Sequence, residues 1–79
     1  MASASIYFTL DQIDGKHDVK RIKKTLDELP GVTSVSVNTE TDSVAVDYDT
    51  TGVLSDRIQK QLEKAGYTVT QVNLESHFQ

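Results

Sequence analysis

Three stretches of alternating hydrophobicity, a fourth rich in β-formers and two of helical periodicity, in the order β-α-β-β-α-β, predict an α+β chain. The expected form is a four-stranded antiparallel sheet with both helices on one face. A Pro30-Gly31 pair separates the first helix from the second strand, and a short polar link, Thr39-Glu40-Thr41-Asp42, joins the second strand to the third. Seventy-nine residues, 37% of them hydrophobic, suffice for one domain with one thin core.

The first strand is expected over residues 6–10, where Ile6, Phe8 and Leu10 alternate with Tyr7 and Thr9. Ile13 adds an apolar residue after a bend. Over 17–29 the period changes. Val19, Ile22, Leu26 and Leu29 fall three, four and three apart and so share one helical stripe. Asp14 or Asp18 can satisfy orphan amides at the helix start. Proline cannot continue the helix, and Gly31 accepts a left-handed cap. Val32, Val35 and Val37 mark a second strand, and Val44, Val46 and Tyr48 a third. A second helix is expected from a Ser55 cap, with Leu54, Ile58, Leu62 and Ala65 inward and Gly66 at its C-terminal cap. Residues 67–74 read as the fourth strand, and Glu75 to Gln79 as a frayed tail, so the single domain 1–79 has its core in about 6–74. Right-handed crossovers in both β-α-β halves interleave the strands in the ferredoxin-like arrangement. Tyr7, Thr9, Ser34, Ser36, Ala45 and Asp47 then fall on the open face of the sheet.

Composition narrows the chemistry. Cysteine is absent, which removes disulfides, thiolate metal sites and cysteine nucleophiles. No apolar run approaches the roughly 20 residues of a membrane span, so no direct membrane insertion is expected. The first five residues have neither a basic segment nor an apolar core behind it, which argues against a signal peptide and for a cytoplasmic protein or a fragment of a larger one. The net charge is −4, yet the eight basic residues fall in two blocks: Lys16, Lys20, Arg21, Lys23 and Lys24, then Arg57, Lys60 and Lys64. Positive charge therefore gathers on the helices. Nucleic acid is not an expected partner, because the overall charge is negative and the sheet lacks an aromatic pair for stacking bases.

The series Leu29-Pro30-Gly31-Val32, Val35, Val37-Asn38, Val44, Val46, Tyr48-Asp49, Leu62-Glu63, Gly66-Tyr67 and Val69 resembles the heavy-metal-associated domain family, over about residues 6–72. That family includes small copper chaperones and the N-terminal domains of metal-pumping ATPases. Its hallmark is a Gly-Met-x-Cys-x-x-Cys loop before the first helix. The resemblance puts Gln12 at the glycine, Ile13 at the methionine, Gly15 at the first cysteine and Asp18 at the second. Glycine has no ligand atom, and Asp18 offers hard oxygen where monovalent copper prefers soft sulfur. The resemblance thus implies a copper-chaperone-like domain that has lost thiolate exchange. It also implies that Ile13 and Tyr67 support the loop.

Two uses of the altered loop follow. One is protein docking. In the family the first helix and the metal loop form the face that meets partner domains, so Lys16, Lys20, Lys23 and Lys24 are expected to meet an acidic protein surface, such as that of a metal-transport ATPase or a related domain. Lysines also commonly line a solvated helix. The alternative use is a weak divalent site for zinc, nickel or divalent copper at His17 and Asp18. Such a site is short of ligands, with only Asp14 nearby and His77 the sole other histidine. An enzyme is not expected. No nucleophile has an adjacent base, and Arg21 lies inside a helix with no phosphate cradle before it.

Overall fold

The computed structural model describes residues 3–52 and 55–77, the last three by backbone alone. Leu54, expected on the inner stripe of the second helix, lies outside the described residues, as do Phe78 and Gln79. The elements are β1 (Ser3–Leu10), α1 (Gly15–Asp27), β2 (Val32–Asn38), β3 (Ser43–Asp49), α2 (Ser55–Lys64) and β4 (Val69–His77). The sheet order is β2-β3-β1-β4, with every neighbouring pair antiparallel. This is the expected α+β, ferredoxin-like topology.

In β1 and β3 the alternating apolar residues are buried. Ile6 and Phe8 stand opposite Val46 and Val44 across β1 and β3, all four on the helix side of the sheet. They meet Ile22 and Leu26 of α1 and Ile58 and Leu62 of α2 in one core. Burying side chains of this size contributes about 1.5–3 kcal/mol each. On the other face Ser34, Ser36 and Asp47 are exposed. Ser5, also paired with Asp47, is buried there and donates its hydroxyl to the Asp47 carboxylate.

Boundaries differ from the pattern by a few residues. β1 begins at Ser3, because Ser3 to Ser5 continue the ladder opposite Asp49 to Asp47. α1 covers Gly15–Asp27 rather than 17–29. Leu29 leaves the helix but stays buried, and its N–H donates to the Leu26 carbonyl in a tightened last turn. β4 starts at Val69 and continues to His77, where a frayed tail was expected, because Glu75, Ser76 and His77 pair with Ser5, Ala4 and Ser3. Gly66 takes φ +101 after α2, as its cap position requires. Its N–H donates to the Glu63 carbonyl, and the Tyr67 N–H donates to the Leu62 carbonyl. These two bonds form a Schellman motif, which fixes the direction in which Tyr67 leaves the helix.

Candidate functional site

The segment 12–18, which the resemblance sets at the family's metal loop, runs from the end of β1 into the start of α1 and is held from three sides. The Leu10 N–H donates to the Asp42 carbonyl at 2.8 Å, and the Asp11 N–H to the Thr68 carbonyl at 2.9 Å. Asp42 has a left-handed backbone, φ +52, at the end of the β2–β3 turn. Its side chain turns across to accept the Ile13 N–H at 3.2 Å. Ile13 is buried with the core, and so is Tyr67. Gln12 donates its side-chain amide to Asp14.

Asp18 is the centre of the arrangement. One carboxylate oxygen accepts the Asp14 N–H at 2.7 Å, and the other accepts the Tyr67 hydroxyl at 2.8 Å. The first bond reaches back to the residue preceding α1, as the acid of a capping box does. Asp14 itself makes no side-chain cap. Of the two aspartates that could cap the helix start, Asp18 is the one that does. The second bond ties α1 to the segment leaving α2. The Asp14 amide, then the Tyr67 hydroxyl, and more weakly Arg21 and His17, hold the Asp18 carboxyl below its usual range. Burial, followed by the bond to Asp18, pushes the Tyr67 phenol up to about 12. Arg21, Asp11, Gln12 and Thr68 line a polar cleft beside this pair.

A monovalent copper ion does not fit this loop. The sequence has no cysteine, and Gly15 brings neither a ligand atom nor an ordinary backbone: its φ is +63. Both Asp18 oxygens already accept strong hydrogen bonds. His17 is exposed and shares a shallow groove with Lys16 and Lys20, whose ammonium groups oppose a cation. No three His, Cys, Asp or Glu side chains gather among the described residues in a way that could hold a metal ion.

The structure thus brings Asp18, Tyr67 and Ile13 to one junction and leaves His17 outside it. Lys16, Lys20, Lys23 and Lys24 are all exposed on α1. Asp42 and Arg21 are parts of the site that the motif spacing did not single out. Asp42 could have been flagged as a residue tolerant of left-handed turns. Its reach to Ile13, 29 positions back in the chain, has no local signal.

A family model for the heavy-metal-associated domain matches residues 8–68. A search of curated protein sequences gives no significant match. Among solved structures, apo-CopP from Helicobacter pylori is 32% identical with a TM-score of 0.74, the alignment covering 84% of this chain and 98% of that one. The CopZ metallochaperone is 27% identical with a TM-score of 0.80, over 84% of this chain and 98% of its own. Oxidized MerP from Ralstonia metallidurans CH34 shares the fold, at 24% identity and TM-score 0.78, over 89% of this chain and all of that one. No helix among the described residues is long and apolar enough to cross a membrane. A matching family model over most of the chain and the shared fold together make this chain a member of the heavy-metal-associated domain family.

Proposed function

We propose that this chain is a non-enzymatic docking module of cytoplasmic metal handling, which presents the lysine row of α1 to an acidic surface on a partner protein. The observation that carries the reading is the exposure of Lys16, Lys20, Lys23 and Lys24 beside a loop whose Asp18 is committed to structure. Their spacing of four, three and one keeps the four ammonium groups on adjoining sides of one helix. Such a row raises the rate of encounter with an acidic surface more than it deepens binding. A metal-transport ATPase or a related domain is the proposed partner, since family members occur both as chaperones and as domains of such pumps.

The test is a titration of the isotopically labelled chain with the N-terminal domains of metal-transport ATPases from the same organism, followed by amide shifts. Saturable shifts centred on Lys16 to Lys24 are expected, weakening with added salt. The double variant Lys20→Glu, Lys24→Glu is expected to lose about tenfold or more in affinity. Unchanged binding by that variant would remove α1 from the docking role.

A further inference from the structure

β4 is an edge strand, and among the described residues its outer side pairs with no other strand. The opposite edge, β2, keeps Val32, Val35 and Val37 partly buried, with α1 packed against it. α2 covers much less of β4. Val72 is 43% exposed and Leu74 55%, although both stand opposite core residues, Phe8 and Ile6. The strand carries no lysine, arginine or proline, the residues that commonly protect an edge.

The direction of its backbone groups follows from the ladder. The Leu10 N–H points to the β3 side, at Asp42, and the Asp11 N–H to the β4 side, at Thr68. Alternation along β1 then turns Tyr7 and Thr9 towards β4, where their partners are Asn73 and Gln71. Val72 and Leu74 therefore aim their N–H and C=O groups outward, at the same residues whose apolar side chains are bare.

We propose that a second copy of this chain pairs antiparallel along β4, about a two-fold axis through Asn73. The strand runs from Val69 to His77, so Asn73 is its midpoint, and this register uses the regular stretch on either side of it, the irregularity at Thr70 lying towards the Val69 end. Val72 of one copy faces Leu74 of the other, and Leu74 faces Val72. Each such pair exchanges two backbone hydrogen bonds and brings two exposed apolar side chains together. Glu75, the one charged residue at neutral pH in the strand, is set opposite Gln71 rather than another acid. The contact is isologous and closed, and it joins the two sheets into one of eight strands with all helices on the same side. It involves no α1 lysine, so it stands or falls apart from the docking role.

Sedimentation equilibrium of the whole chain from micromolar to millimolar concentration tests this, together with amide exchange. A monomer–dimer equilibrium is expected, with added protection at the Val72 and Leu74 amides as concentration rises. Leu74→Lys and Val72→Lys, both at exposed positions, are each expected to weaken the dimer about tenfold or more while the circular dichroism spectrum is kept. A monomer throughout the range would overturn the proposal. So would a dimer that both variants leave unchanged, since that places the contact elsewhere. Protection of Val72 and Leu74 only on adding an unrelated extended peptide would also overturn it, and would give the edge to a different partner.

Discussion

A carboxylate that accepts two hydrogen bonds from two elements behaves as a strut, and Asp18 joins the start of α1 to Tyr67 in this way. Its folded-state pKa is lowered, so the stability it contributes is present above the ordinary aspartate value of 3.8 and is lost as pH falls through the lower folded value. In Asp18→Asn one of the two accepting oxygens is replaced by a donor. We expect that variant to be less stable than the parent at neutral pH, and to lose less stability than the parent between pH 5 and about 2. Urea melts across that range check it. Tyr67 has the opposite sign. Its folded pKa of about 12 lies above the ordinary tyrosine value of 10.0, so its contribution holds below pH 10 and falls away as pH rises towards 12. Tyr67→Phe is expected to remove that alkaline component.

Gly15 carries a second consequence at this scale. A Cβ there would meet nothing within 4 Å, but φ +63 is a conformation that side chains other than glycine's rarely adopt. Gly15→Cys is therefore expected to lower stability by about 1–2 kcal/mol through backbone strain alone, measured by thermal or urea unfolding. A cysteine at position 15 thus requires this backbone to change as well as the side chain.

At the scale of elements, the helices are held by their inner stripes. Leu26 is fully buried on α1, and Leu26→Ala is expected to cost about 2–5 kcal/mol in urea unfolding. The loops are close-fitted too. A Cβ at Gly52 would come 2.9 Å from the Gly31 Cα, so Gly52→Ala must push two backbone segments apart, at about 1–3 kcal/mol. The elements were legible because their apolar periods differ: Ile6-x-Phe8-x-Leu10 against Val19, Ile22 and Leu26. The ends were less so. A polar Ser3-Ala4-Ser5 start carries no strand signal, and only its ladder to β3 and β4 shows that it is one. The Asp18–Tyr67 bond spans 49 positions, so the motif spacing could place each partner near the loop but could not join them.

On the scale of the whole molecule, the chain has the family fold, and its β1–α1 junction is a point of internal cross-linking. Three contacts converge there: Asp42 from the β2–β3 turn, Tyr67 from the end of α2 and Asp18 from α1. A metal bound at Asp18 would compete there with the Asp14 amide and the Tyr67 hydroxyl, and one bound at His17 would sit beside Lys16 and Lys20. We propose that this internal strut stands in place of a metal centre. An amide titration of the isotopically labelled chain with zinc, nickel, divalent copper and reduced copper, each in turn, tests it most directly. No saturable shift is expected at Asp14 to Asp18 or at Tyr67 at micromolar metal. Shifts clustered on those residues, saturating in that range and lost in His17→Ala, would contradict it.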